Sequence, residues 1–249
     1  MKYLILPLIL FFWQPALCQK QTITAKEGTI TITPVFHGSL VFQWNGKTIY
    51  IDPYGGAERY EVLPPPDLVL ITHTHGDHLD PGTLNELDLT NAELLAPQTV
   101  VDGLTGVEFK RKTVISNGEA TNWNAVKIEA IPMYNLPEGG RHKKGDGNGY
   151  VLTVGDKRIY ISGDTEGTPE MRGLKNIDVA FVCMNLPYTM DVEQAADAVL
   201  DFKPAIVYPY HYRGANNRFS DVEKFKTLVS DGSKKIEVRL LNWYPEVED

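Results

Sequence analysis

Apolar and polar residues alternate along Thr29-Ile30-Thr31-Ile32-Thr33, the period of two expected of a strand with one face buried. Two more strand patterns, Ser39–Trp44 and Lys47–Ile51, flank Asn45-Gly46, a dipeptide that accepts the positive φ of a tight hairpin turn. Short apolar runs at 68–71, 93–96, 126–131, 150–154, 158–162, 178–183, 205–208 and 236–241 predict further strands. Helical spacing is rarer. Asp191 is placed to cap a helix that carries Ala195, Ala196, Val199 and Leu200 on one face. That helix must stop before Pro204, because proline disfavours helical backbone in the residue ahead of it. Ser220-Asp221-Val222-Glu223 has the form of a capping box and opens a second helix through Phe225 and Leu228-Val229 to Asp231-Gly232. A third is expected from Pro81 to Leu87. Strands with helices between and after them imply sheets covered by helices.

Part of this pattern recurs. Lys47-Thr48-Ile49-Tyr50-Ile51-Asp52 is echoed 110 residues later by Lys157-Arg158-Ile159-Tyr160-Ile161-Ser162, and Asp67-Leu68-Val69-Leu70-Ile71 is echoed after 111 by Asp178-Val179-Ala180-Phe181-Val182. Two matches at nearly one offset point to halves that share a hairpin-then-strand plan, with two sheets facing each other. Chance likeness between short apolar strands is the competing explanation.

The 249 residues, 43% hydrophobic and 22% charged, can bury a real core, and no linker-like tract divides them. One domain over 19–249 is the economical reading. Residues 1–18 stand apart: Lys2, an apolar run from Tyr3 to Trp13, then Pro15-Ala16-Leu17-Cys18 before polar sequence. That is the form of a secretory signal peptide, too short for a spanning helix, and it predicts export to the periplasm or the extracellular space with no stable membrane span afterwards. Ala16-Leu17-Cys18 also resembles a lipoprotein processing site, but Leu17 is large for the position before a modified cysteine, so soluble export is preferred. Cleavage after Cys18 would leave Cys183 as the remaining cysteine, hence no internal disulfide. It would also take the net charge from −8 to −9 by removing Lys2. A chain this acidic is a poor partner for nucleic acid, whose phosphates reward clustered Lys and Arg, and a small-molecule substrate is expected instead.

The chemistry concentrates where the 68–71 strand runs out, in Thr72-His73-Thr74-His75-Gly76-Asp77-His78. Three imidazoles and a carboxylate within six residues offer N and O ligands to a borderline divalent metal, and Gly76 lets the backbone turn so that Asp77 and His78 can address a second position. His-x-His-x-Asp-His after a short apolar strand resembles the hallmark of the metallo-β-lactamase superfamily, and the resemblance extends along nearly the whole of 19–249. It implies an α/β (α+β) fold, a four-layer αββα sandwich of two facing mixed sheets flanked by helices, with the site at the edge where the sheets meet.

Residue by residue, the resemblance makes Asp164, in Ser162-Gly163-Asp164-Thr165, the acid that bridges two metals, and His211, in Pro209-Tyr210-His211-Tyr212, the last metal-binding histidine. His73 and His75 then belong to the first metal and Asp77, His78 and His211 to the second. Asp52, in Ile51-Asp52-Pro53, matches the family's first acidic position and is cast as the partner that hydrogen-bonds a ligand imidazole and fixes its tautomer. His37, in Phe36-His37-Gly38-Ser39, is similar to the Gly-His motif near the pocket of ascorbate-6-phosphate lactonase-like members. The family's third metal-binding position, normally histidine, falls in Ile131-Pro132-Met133-Tyr134-Asn135. Either Asn135 helps there as a weaker ligand, or His142 folds back from the 137–149 loop. That loop packs Arg141, Lys143 and Lys144 into an acidic protein. It is either a solvated loop or a lid that offers Arg141 and Lys143 to an anionic substrate. Tyr188, with Arg213 and Arg218 behind it, is a candidate for the same task.

The expected activity is that of a metal-dependent hydrolase with two divalent ions, zinc before manganese or iron, in which a metal-bridged hydroxide attacks an ester. Asp77 and His78 are the residues assigned to catalysis. Asp164 and His211 stand 47 positions apart and 38 residues follow His211, which leaves no room for the inserted domain of the superfamily's nucleases or the helical domain of its glyoxalase II-like thioesterases. Asp164 itself argues against β-lactamase activity. The compact lactonase-like branch remains, cleaving a lactone or other ester of a small anionic substrate. A phosphodiesterase or phospholipase D-type hydrolase is the alternative, and a metal-binding module with little turnover is another.

Overall fold

The computed structural model of the protein describes residues 19–136 and 140–245. The expected leader at 1–18, part of the cationic loop (137–139) and the end of the chain (246–249) lie outside the described residues.

β-Branched and aromatic residues gathered in short runs between Gly, Asn and Pro form strands. Seven build the first sheet in chain order: β1 (Gln21–Ala25), β2 (Gly28–Phe36), β3 (Ser39–Trp44), β4 (Lys47–Ile51), β5 (Leu68–Leu70), β6 (Glu93–Ala96) and β7 (Arg111–Val114). Neighbours are antiparallel from β1 to β4 and parallel from β4 to β7. The second sheet repeats the plan with β8 (Ala120–Trp123), β9 (Val126–Met133), β10 (Gly147–Val154), β11 (Lys157–Ile161), β12 (Val179–Cys183), β13 (Ile206–Tyr210) and β14 (Glu237–Val238). It is antiparallel from β8 to β11 and parallel from β11 to β14.

The sequence echo therefore falls on β4 with β5 and on β11 with β12, and it reaches individual hydrogen bonds. The Asp67 carboxylate accepts the Thr48 amide at 2.9 Å and pairs with Lys47; the Asp178 carboxylate accepts the Arg158 amide at 2.8 Å and lies 3.7 Å from Lys157. Just beyond the strands, Asp52 accepts the Thr72 amide on its side chain, as Ser162 accepts the Cys183 amide.

Period-two alternation sorts the side chains into layers. Leu40, Phe42, Ile49, Ile51, Leu68 and Leu70 belong to the core between the sheets, where the Phe42 ring meets Phe181 edge-on with centroids 5.8 Å apart. Val41, Tyr50 and Val69 turn the other way, onto Leu84 of α1 (Pro81–Glu86) and Val100 of α2 (Gln98–Gly103). Beyond the second sheet, α4 (Val192–Phe202) and α5 (Val222–Gly232) bury Ala195, Val199, Phe202, Phe225 and Val229, after the single turn α3 (Pro169–Arg172). The result is the expected order of helix, sheet, sheet, helix. Strands buried on both faces read as continuous apolar runs, which is why 68–71 and 178–183 carry no alternation in sequence.

Two details differ from the sequence expectation. The cap of α5 is Asp221, whose carboxylate accepts the Lys224 amide at 2.8 Å, and not Ser220, whose hydroxyl donates to the Met184 carbonyl. A tertiary acceptor claims the hydroxyl that local pattern assigned to the helix. The last strand pairs only over Glu237–Val238 and not over 236–241. Cys183 is free and buried. Among the described residues no helix is long and apolar enough to cross a membrane.

Candidate metal centre

Parallel strands deliver their C-terminal ends, and the loops that follow, to one side of a sheet, and that side is where α/β proteins bind ligands. Here both sheets do so at a common edge. Asp52 follows β4, the His73–His78 turn follows β5, and Asp164, Asn185 and His211 follow β11, β12 and β13. His37 turns the β2–β3 hairpin, while Asn135 and His142 lie between β9 and β10.

The side chains converge as two groups around one carboxylate. His73 Nε2 is 3.0 Å from His75 Nδ1, and His142 Nε2 is 3.1 Å from His75 Nδ1 and 3.5 Å from Asp164 Oδ2. On the other side, Asp164 Oδ1 lies 3.2 Å from His211 Nε2 and 3.4 Å from His78 Nε2, and those two nitrogens are 3.0 Å apart. Asp77 Oδ2 reaches to 3.5 Å from His211 Nε2. One ligand atom from each of His73, His75, His142 and Asp164 lies within 4.8 Å of the others, and the same holds for His78, Asp164 and His211 and for His37, Asp77 and His211. Ligands of a tetrahedral ion with bonds of about 2.1 Å stand roughly 3.4 Å apart, and the observed separations are of that size. Asp164 Oδ1 is buried and makes no well-directed hydrogen bond, although it faces two imidazoles. Imidazole nitrogens pressed together around a carboxylate are what a divalent cation would satisfy.

A family model described as the beta-lactamase superfamily domain matches residues 31–211, from β2 to the last histidine of the cluster. The chain belongs to the metallo-β-lactamase superfamily. The UPF0173 metal-dependent hydrolase of Pyrococcus abyssi is 31% identical over 212 residues, 81% of this chain and 93% of the relative. Among solved structures, a protein from Parabacteroides distasonis named as a candidate metal-dependent hydrolase is 38% identical, covers 90% of this chain and 98% of its own, and superposes with a TM-score of 0.79. The metallo hydrolase Igni18 from Ignicoccus hospitalis is 26% identical, with 85% and 94% covered and a TM-score of 0.72. Like these members of the superfamily, the chain is a metal-dependent hydrolase.

The superfamily's third metal-binding position is where this member departs from pattern. There Asn135 Oδ1 accepts from the backbone amide of His142 at 2.7 Å and from His142 Nδ1 at 3.0 Å, while Nδ2 donates to the Tyr188 carbonyl at 2.9 Å and to Glu166 at 3.2 Å. Because the oxygen already takes a backbone N–H, the His142 proton must sit on Nδ1, which leaves Nε2 bare toward the cluster. His142 thus presents a nitrogen to the cluster, and Asn135 orients it. A Cβ at Gly140 would stand 2.4 Å from Asn135 Cβ, so the returning loop needs glycine there.

Other polar groups set the remaining rings. Asp52 accepts the Thr72 amide, the Thr72 hydroxyl and His78 Nδ1, each at 2.7 Å, and so turns His78 Nε2 toward Asp164. The Tyr244 hydroxyl accepts the Arg213 amide at 3.2 Å and lies 2.8 Å from His37 Nδ1, whose Nε2 is 3.2 Å from Asp77 Oδ2. With the Tyr244 hydroxyl donating to His37 Nδ1, His37 Nε2–H donates to Asp77. His37, Asp52 and His211 all have positive φ, 56°, 44° and 48°. Each costs on the order of 1 kcal/mol in an L-residue, so packing is spent on aiming these side chains.

Burial pushes the His73 imidazole well below its usual range, reinforced by His78, and takes His37 down to about 4 with the help of His211. Burial also opposes charge on His78 and Asp164, but their mutual attraction wins. Asp164, Asp52 and Asp77 hold His78 well above the usual histidine value, and His211 and His78 hold Asp164 well below the usual carboxylate value. Burial is likewise outweighed at Asp77, which His78 and His211 lower. The centre thus keeps its carboxylates ionised, as a cation site requires.

Of the residues expected to meet substrate, Arg141 stacks over the Tyr188 ring at 4.8 Å, and its charge is felt by His75. Lys143 is exposed, and it is Lys144 that ties the loop to Glu170 of α3. Arg213 packs over Tyr244 at 4.8 Å and Phe36 at 5.1 Å, and Arg218 is exposed. Asn185, Thr189 and Tyr244 also belong to the centre and had no motif to mark them. The one usable signal was positional, since Asn185 stands beyond the apolar run at 178–183 as the histidine turn stands beyond 68–71.

Proposed function

We propose that the protein hydrolyses a lactone or another ester of a small anionic molecule with two divalent ions, zinc first among them, held side by side at the cluster. The observation that carries this reading is the meeting of two histidine groups at the two oxygens of Asp164. His73, His75 and His142 would hold one ion with Asp164 Oδ2, and Asp77, His78 and His211 the other with Oδ1. Bound ions of this kind supply Lewis acidity to a carbonyl or phosphoryl oxygen and make nearby water acidic enough to attack near neutral pH. Asp77, its side chain 34% exposed, is the carboxylate at the open edge and would orient the attacking water. Asp52, Asn135 and His37 keep the surrounding rings and carboxylates aimed.

An anionic substrate is favoured by the guanidinium groups of Arg141 and Arg213, each stacked on an aromatic ring near the centre in a chain of net charge −8, because such forks recognise carboxylate and phosphate. The same groups keep a phosphodiester as the second reading. The test is elemental analysis of the purified protein together with turnover of a panel of lactones, phosphodiesters and β-lactams. Two ions per chain, lactone hydrolysis that chelators abolish, and a loss of at least about a hundredfold in His75→Ala are expected. Turnover of phosphodiesters with inert lactones would select the second reading, and a fully loaded protein that turns over nothing in the panel would remove both.

A further inference from the structure

Asn185, 1% exposed, stands just beyond β12 with its amide inside the metal centre. Its backbone N–H donates to Thr189 Oγ1 at 3.0 Å, and the same hydroxyl donates back to Asn185 Oδ1. That donation holds Oδ1 toward Thr189 and leaves Nδ2, with its two protons, facing the cluster. There Nδ2 lies 3.3 Å from His211 Nε2 and 3.5 Å from Asp164 Oδ2, the second at the outer limit of a hydrogen bond.

His211 Nε2 is also the atom that the second group offers to a cation. An imidazole nitrogen has a single lone pair and cannot accept a proton and bind a cation together. Once a cation takes it, the buried amide of Asn185 keeps only the long contact to Asp164 Oδ2 on that side, and a buried donor without a good acceptor is unfavourable unless something else accepts. We propose that the acceptor is an oxygen of the substrate, and that Asn185 is a catalytic donor which stabilises the negative charge developing there. In ester hydrolysis the water oxygen bonds to the carbonyl carbon as the C=O π pair moves onto oxygen. Return of that pair expels the alkoxide, which takes up the proton that water gave away. A preorganised donor at the charged oxygen acts on the first of these movements. Thr189 is the positioning residue that keeps the donor turned inward. The inference rests on the ester reading above for its reaction, but the donor itself is testable without a substrate.

The test compares zinc-loaded wild-type protein with Asn185→Ala and Thr189→Val, measuring metal content by mass spectrometry and the affinity for inorganic phosphate by calorimetry. Both variants are expected to keep the wild-type metal content and to bind phosphate about ten- to a hundredfold more weakly. On any ester the wild type turns over, kcat should fall by about a hundredfold or more while KM changes little. Should Asn185→Ala fail to fold, Thr189→Val, nearly equal in shape and lacking only the hydroxyl, carries the comparison alone. The proposal is overturned if metal is lost in step with phosphate affinity, which would make Asn185 a brace for His211 and Asp164. It is equally overturned if phosphate binds the loaded variants as tightly as the wild type, or does not bind the loaded wild type at all. Phosphate binding that depends on Asn185, in a wild type that cleaves no ester or lactone, would support the donor and remove the ester reading.

Discussion

Asn135 grips His142 at two points, its backbone amide and its Nδ1, and so converts a loop histidine into one with a single bare nitrogen aimed at Asp164. An imidazole released from such a partner loses its orientation and its preferred tautomer, which typically lowers metal affinity by about 10–100-fold. With two ions bound as proposed, Asn135→Ala is therefore expected to weaken one of them by that amount and leave the other near its wild-type affinity, in a competition titration against a chromogenic chelator. Two ions still bound as tightly as in the wild type would show that His142 needs no such partner. His73, His75, Asp77 and His78 were legible at this scale because they are neighbours in the chain. The choice between Asn135 and His142 was not, since it turns on Glu166 and the Tyr188 carbonyl, 31 and 53 positions from Asn135.

Helix α4 begins at a reciprocal cap in which the Asp191 carboxylate accepts the Gln194 amide at 2.7 Å and the Gln194 side chain accepts the Asp191 amide at 2.9 Å. Removing an N-cap of this type costs about 1 kcal/mol, while the buried face of Ala195, Val199 and Phe202 keeps the helix in place. Asp191→Ala should thus lower the unfolding free energy by that amount, read as a lower urea midpoint with the slope of the transition and the metal content unchanged. A changed slope would mean that α4 itself had loosened. Elements with strong internal pattern, such as β3, β4 and α4, were readable to within a residue or two. Weakly patterned ones were not: β7 is Arg-Lys-Thr-Val and holds its place by pairing with β6, and the Ser220 hydroxyl serves Met184 in place of the helix it precedes.

Between the sheets, Phe181 is fully buried, edge-on to Phe42 and stacked on Tyr208 with centroids 5.0 Å apart. Phe181→Ala should destabilise the protein by about 3–5 kcal/mol, read as a fall in unfolding free energy in denaturant. A loss near 1 kcal/mol would mean that the two sheets can close over the gap. The same packing sets the distance between the edge that carries His73–His78 and the edge that carries Asp164 and His211, so weaker metal retention should accompany the loss of stability. The doubled plan of hairpin and parallel strand was written in the chain as the echo of 47–52 in 157–162, because like patterns of apolar and polar positions fold alike. Local order of residues was enough to define the strands, the doubled plan, the histidine turn and the class of chemistry, all of which depend on neighbours a few positions apart. The choice of His142 over Asn135, the inward turn of Asn185 and the distances at which Asp164 meets its two groups came only with the packing of one sheet on the other. Contacts between residues as far apart as His78 and His211 have no periodicity for a linear pattern to reveal.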